Sequence, residues 1–152
     1  MPTLVLETFI DAAAENCFDL IRDPRVHAPP GRAGRATAFA ADGAIGLGQR
    51  VTFAVRHFGM GQKLTLEIVE FERPHLLVDE MIEGVFGSFQ HVHEFVPQNG
   101  GTLMRDTLAW TSPFGVLGRA VDGLFVEPRL RRLVAERNAR LRRIAESESS
   151  AD

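Results

Sequence analysis

The chain has 152 residues, of which 45% are hydrophobic and 24% charged, with a formal net charge of −3. Such a composition is that of a soluble globular protein without a disordered bias, and no apolar run is long enough to span a bilayer. We therefore expect a single domain over residues 1–152, with a tail that frays from about residue 147.

The N-terminal segment and the cysteine content indicate a cytoplasmic location. No basic leader and no extended apolar segment precedes the first acidic residues, so the start does not resemble a secretory signal. Cys17 is the only cysteine and lies among the apolar positions of a predicted helix, which indicates a buried, reduced thiol. We expect no membrane span.

The first elements predicted are a strand and a short helix. The segment Thr3–Ile10 is rich in β-forming residues, and Asp11 is a candidate N-cap for the helix that follows. Prolines from Pro24 to Pro30 then break the chain. An Ala/Gly-rich stretch reaching about Gly48 predicts an edge strand and a loop.

The middle of the chain predicts five consecutive antiparallel strands, and the last part predicts a long helix. Alternating or β-rich segments mark the strands, which are centred on 51–57, 63–68, 76–83, 86–96 and 102–110. After Ser112-Pro113, apolar residues recur at helical spacing to Ile144, with a kink expected at Pro128. The fold class is α+β, a curved antiparallel sheet around a long C-terminal helix.

Three local motifs resemble one known superfamily. They are Val78-Asp79-Glu80-Met81-Ile82-Glu83-Gly84-Val85-Phe86, Phe89-Gln90-His91-Val92-His93-Glu94-Phe95, and Asn99-Gly100-Gly101-Thr102 through Asp106. With the order of the elements, they resemble the START-like (SRPBCC) superfamily, which includes the birch pollen allergen, polyketide cyclases and lipid-transfer domains. The chain looks like its bacterial ligand-binding branch, often labelled cyclase/dehydrase. It has Val85 where that pattern commonly has proline.

The resemblance covers Thr3 to about Ala145 and implies the helix-grip fold, with a hydrophobic cavity between the sheet and the last helix. It implies no single reaction, because members include carriers, sensors and enzymes.

Strand parity predicts which side chains face this cavity. If Asn99-Gly100 is a two-residue turn, His93 lies opposite Asp106, and the same face carries Phe89, His91 and Phe95 with Met104, Leu108 and Trp110 across from them. If Phe71 pairs with Leu76, then Asp79 lies opposite Ile68 and Met81 opposite Leu66. The candidate ligand-binding residues are His57, Asp79, Met81, Phe89, His91, His93, Phe95, Met104, Asp106, Leu108 and Trp110, with Leu117, Val121, Leu124 and Phe125 from the helix.

The polar candidates allow two interpretations. His93 and Asp106 are either a pair that exchanges a proton with a ligand or a structural cross-strand hydrogen bond, so neither is assigned as catalytic. His91 and His93 have a spacing that zinc or iron sites use, but no matching third ligand follows, and we expect no metal and no other cofactor. His27 and His75 are expected at the surface.

The arginine-rich segment from Arg129 to Glu146 is interpreted as a solvated helix face rather than a nucleic-acid site. The leading hypothesis is a carrier or sensor that binds a lipophilic small molecule in its cavity. Two alternatives stay open: an enzyme of the cyclase or dehydratase kind, and a regulatory module whose basic helix contacts a membrane or an RNA-containing partner. A homodimer is possible.

Overall fold

A computed structural model describes residues 2–27, 36–37, 44–57 and 60–151, except the side chains at 24, 36, 37, 54–57, 60 and 62. Its strands form one antiparallel sheet in the order β1-β7-β6-β5-β4-β3-β2. The strands are β1 (Thr3–Ile10), β2 (Ala36–Thr37), β3 (Arg50–His57), β4 (Met60–Glu72), β5 (Leu76–Glu83), β6 (Ser88–Gln98) and β7 (Gly101–Thr111).

The helices lie before and after the meander of strands. They are α1 (Ala14–Ile21), α2 (Pro24–His27), α3 (Gly115–Val121) and α4 (Glu127–Ser150), with a π-helical segment (Asp122–Val126) between the last two. The last three run on as one helix of 36 residues. Pro128, which has no N–H to donate, directly follows the π-helical segment, so the irregular stretch falls beside the predicted kink. This is the expected helix-grip fold.

The turn between β6 and β7 fixes the most important register. Asn99 and Gly100 have φ values of 51° and 78°, the left-handed conformation that a two-residue turn of type I′ requires at both positions. Gln98 therefore pairs with Gly101, and His93 lies opposite Asp106. The predicted register of this hairpin is confirmed.

The predicted register between β4 and β5 is correct beside the cavity but wrong beside the turn that joins the two strands. Phe71 pairs with Leu77 rather than Leu76, and the pairing shifts by one residue between Ile68 and Glu70. That bulge restores the register farther along, so that Asp79 does lie opposite Ile68.

Helix α1 begins later than predicted. Ala13 occupies its N-cap position without a side-chain hydrogen bond, and the backbone N–H of Asp11 donates instead to Glu146 Oε1 on α4 at 3.1 Å. Asp11 is thus not the N-cap. Its backbone hydrogen bond instead links the segment after β1 to the last helix.

The apolar core has two parts. Around α1, Phe18 makes edge-to-face contacts with Phe71 and Phe95. Around the other end of the sheet, Trp110 and Leu4 pack with residues of the last helix, beginning at Val126. No helix in the described ranges has the length and hydropathy needed to cross a bilayer.

Candidate ligand-binding site

A cavity of about 310 Å³ lies between the inner face of the sheet and α4. Its volume falls at the lower end of the range for small-molecule sites. Most of its wall is apolar, with polar side chains from the sheet and from α4; the lining residues are Ile21, His27, Ile45, Val51, Phe53, Leu64, Leu66, Ile68, Leu77, Asp79, Phe89, His91, His93, Leu108, Leu130, Leu133, Val134, Glu136, Arg137 and Arg140.

His93 lies between two carboxylates on neighbouring strands. Its Nε2 is 3.0 Å from Asp79 Oδ2 on β5, and its Nδ1 is 3.0 Å from Asp106 Oδ1 on β7. Burial would lower the pKa of His93, but the hydrogen bonds to Asp106 and Asp79 outweigh it and raise the pKa above its usual value. An imidazole that donates from both nitrogens is an imidazolium, so we assign His93 as positively charged.

Asp106 is the acceptor at the centre of the cluster. Arg137 donates to its Oδ1 at 2.6 Å and Asn138 to its Oδ2 at 2.7 Å, while His91 Nε2 lies 2.7 Å from Oδ1. Burial would raise the pKa of Asp106, but the charge of Arg137 and the bonds from both histidines hold it well below its usual range. Asp106 is thus a fully buried carboxylate whose oxygens are already occupied.

Arg137 and Asn138 were not predicted to lie in the site, because the arginine-rich segment was interpreted as a solvated face. Both are buried, at 7% and 2% exposure, and Arg137 also donates to Asn138 Oδ1 at 2.7 Å. The sequence did carry a signal. Arg137 follows Val134 by three residues and precedes Leu141 by four, which places it on the buried stripe of α4.

The charges of the cluster balance. Asp79 and Asp106 are negative, and Arg137 and His93 are positive. Burial and the charge of His93 lower the pKa of His91 to about 4, so His91 is neutral and donates from Nε2. Because buried charge is costly unless paired, this balance explains how four ionised groups remain inside an apolar wall.

One polar atom of the cluster is left over. Asp79 Oδ2 is bonded to His93, but Asp79 Oδ1 is buried without a hydrogen-bond partner among the described residues. Burial raises the pKa of Asp79, yet the hydrogen bond from His93 and the nearby positive charges of His93 and Arg137 together outweigh this and keep the pKa below its usual value. A carboxylate oxygen that lacks a donor in an apolar wall has an unmet cost of desolvation.

The predicted residues of the sheet divide into three groups. Five line the cavity: Asp79, Phe89, His91, His93 and Leu108. Phe95, Met104, Asp106 and Trp110 are buried outside its wall, and Met81 packs against the second core cluster. The backbone of His57 ends β3, but its side chain lies outside the described residues.

The helix-side prediction was wrong. Leu117, Val121, Leu124 and Phe125 do not line the cavity; they are exposed, and the helix contributes Leu130, Leu133, Val134, Arg137 and Arg140 instead. The reason is the face that α3 packs against the rest of the protein. The buried residue of α3 is Gly118, which lies against Ser112 just after β7. The large side chains of this part of the helix are thus directed away from the core.

His27, expected at the surface, is part of the cavity wall. Its Nε2 lies 2.6 Å from the carbonyl oxygen of Ile21 and donates to it. Burial and the charge of Arg137 lower its pKa to about 4, so the ring is neutral. Nothing in its Pro-flanked sequence context distinguished it from a surface histidine.

The described residues offer a metal ion one candidate place. Atoms of Asp79, His91 and His93 lie within 4.8 Å of one another, a ligand set that zinc accepts with one position left open. Binding there would require His93 to lose the proton that it donates to Asp79, and it would place a divalent charge beside Arg137. The hydrogen bonds and charges of the cluster are therefore more favourable with His93 protonated than with a metal ion bound.

Comparison with known proteins identifies the family. The family model described as polyketide cyclase / dehydrase and lipid transport matches residues 1–146. The chain belongs to this family. Its START-like superfamily assignment is likewise confirmed. A search of curated proteins gave no match.

Solved structures similar to this member of the polyketide cyclase / dehydrase and lipid transport family share its fold. TTHA0849 from Thermus thermophilus is 17% identical, with a TM-score of 0.69, over 92% of this chain and 97% of that one. A START superfamily protein from Mycobacterium smegmatis is 16% identical, with a TM-score of 0.68, over 93% and 98%. The major latex-like protein 151 of Panax ginseng is 12% identical, with a TM-score of 0.68, over 95% and 97%.

Proposed function

We propose that the protein is a cytoplasmic carrier or sensor that binds a lipophilic small molecule whose one polar end donates a hydrogen bond. The observation that carries the proposal is the unpartnered Oδ1 of Asp79, which belongs to a residue in the wall of an otherwise largely apolar cavity. A hydroxyl or amine of a ligand would satisfy this oxygen, and the apolar wall would take up the remainder of the molecule.

The same cluster argues against a cyclase or dehydratase that moves protons through His93. Both ring nitrogens of His93 are occupied by carboxylates, so it has no free position from which to reach a substrate. Cys17 offers no nucleophile, because burial raises the pKa of its thiol to about 11. The role that fits His93 is to hold Asp79 charged and oriented.

The test uses a matched pair of probes. Delipidated protein is titrated with the isoprenoid alcohol farnesol and with farnesyl methyl ether, which has the same chain but no donor. Farnesol is expected to raise the melting temperature and to bind at least about tenfold more tightly than the ether, because a hydrogen bond to a charged group contributes roughly 1.5–3 kcal/mol. In Asp79→Asn the preference for farnesol should shrink, with binding of the ether unchanged.

Two results would count against this function. If neither farnesol nor a wider panel of fatty acids, quinones and polyketides shifts the melting temperature, the cavity is not a site for lipophilic ligands. If the ether binds as tightly as the alcohol in the unmodified protein, the ligand does not use Asp79.

A further inference from the structure

The most exposed apolar surface of the described residues lies on the first part of the last helix. Phe114 is 77% exposed, Leu117 80%, Leu124 70% and Phe125 60%, and Val116 adjoins them. We name these five residues the apolar patch. They lie within twelve positions, from the N-cap residue of α3 to the π-helical segment, and a group of exposed large side chains of this kind marks an interaction surface.

The charges around the apolar patch favour a partner with a negative surface. Within residues 112–126 the charged side chains are Arg119 and Asp122. Arg119 is exposed, whereas Asp122 is only 4% exposed and therefore does not present its carboxylate on the surface. The exposed part of residues 112–126 thus combines apolar and aromatic side chains with one cation and no anion, and the next anion along the helix, Glu127, is paired with Arg131 at 3.4 Å.

The apolar patch also continues toward the cavity. Leu133 lines the cavity and is itself 48% exposed, so the cavity reaches the surface beside α4. Eight residues separate Phe125 from Leu133, a distance of about 12 Å along a helix. One helix therefore carries both the exposed apolar surface and the wall of the cavity.

We propose that the apolar patch docks on a bilayer that contains anionic phospholipids, and that the cavity takes up its ligand there. Exposed Phe and Leu side chains insert among the acyl chains at the interface, and Arg119 contacts the headgroups. Uptake of ligand rests on the proposed function, but docking does not, since it needs only the patch and Arg119.

The test is flotation of ligand-free protein with vesicles of phosphatidylcholine, with and without phosphatidylglycerol. The protein is expected to float with the anionic vesicles, and less so at high salt. Leu117→Ser combined with Leu124→Ser should weaken binding by about tenfold or more, because two apolar side chains no longer insert. Arg119→Gln should weaken binding to anionic vesicles by about fivefold.

The matched control is Leu47→Ser, which removes a leucine of 63% exposure from the loop before β3, outside the patch. It should float like the unmodified protein.

The proposal is overturned if the unmodified protein does not float, or if the double variant floats equally well. It is also overturned if light scattering shows a dimer that the double variant converts to a monomer without any vesicle binding, because the occupant is then a second copy. Farnesol binding by the double variant, measured without vesicles, separates failure of docking from failure of the cavity.

Discussion

Arg137 on α4 donates a hydrogen bond of 2.6 Å to Asp106 on β7, and both side chains are buried. Arg137→Met keeps an unbranched, largely aliphatic side chain on the helix but leaves the Asp106 carboxylate without its cation. We expect the free energy of unfolding to fall by about 3–5 kcal/mol, the usual cost of breaking one side of a buried ion pair. Urea denaturation at pH 7 measures this loss.

The control for this prediction is Arg132→Met, because Arg132 pairs with Glu136 on the solvent side of the same helix. Its cost should stay below about 1 kcal/mol. In the double variant Arg137→Met, Asp106→Asn, the total loss should be smaller than the sum of the two single losses. Additive losses would mean that the two groups do not stabilise each other.

His93 is predicted to carry protons on both ring nitrogens at neutral pH. The hydrogen bonds to Asp106 and Asp79 raise its pKa, so the stability that comes from its charge is complete below about pH 6.5 and declines as the pH rises through the raised value. Nitrogen-detected NMR of labelled histidine should show two N–H signals for His93 at pH 6.5. A single protonated nitrogen there would contradict the assignment.

His91 should make the fold less stable in mild acid. Its folded pKa of about 4 lies below the ordinary histidine value of 6.5, so the unfolded chain takes up the proton first as the pH falls. The stability from keeping His91 neutral is present above about pH 6.5 and is lost as the pH falls toward 4. The full loss is on the order of a few kcal/mol.

Denaturation curves of the unmodified protein and His91→Gln between pH 7 and pH 4 test this prediction. The variant should show a shallower decline, although not a flat one, because His27 also has a lowered pKa of about 4. Parallel curves for the two proteins would mean that His91 is not the group that titrates.

The sequence predicted the β-rich part of this fold well because local chemistry determines it. The Asn99-Gly100 turn fixes one register, and alternation then assigns the inner face of β6 and β7. The error beside Leu76 has a different origin: a bulge in β4 leaves no clear trace in an alternating pattern. Asp79 was placed correctly only because that bulge compensates for the wrong pairing.

The helix contribution to the site was less predictable. Apolar spacing continues from Leu117 to Ile144, so the pattern does not reveal where the helix begins to pack on the sheet. Composition also concealed Arg137, because seven arginines in one segment indicate a solvated face until their helical positions are compared one by one. The partner that makes its burial tolerable, Asp106, lies 31 residues earlier on another element.

Zinc is expected to have little effect on stability. Binding to Asp79, His91 and His93 would cost the proton of His93 and would add a divalent charge beside Arg137. At pH 7 the melting temperature should therefore not rise as zinc is added to metal-free protein. A saturable rise that His91→Gln abolishes would show that the cluster is a metal site after all.

Two glycines of the last helix should respond to alanine in opposite directions. A Cβ at Gly118 would overlap Ser112, including its Cβ at 2.7 Å, which cannot move away without the backbone. A Cβ at Gly123 would meet nothing within 4 Å. We expect Gly118→Ala to lower the free energy of unfolding by about 1–3 kcal/mol, and Gly123→Ala to raise it by about 0.5–1 kcal/mol because alanine favours the helix. Urea denaturation of the two variants provides the comparison, and destabilisation by Gly123→Ala would mean that this position is covered in solution.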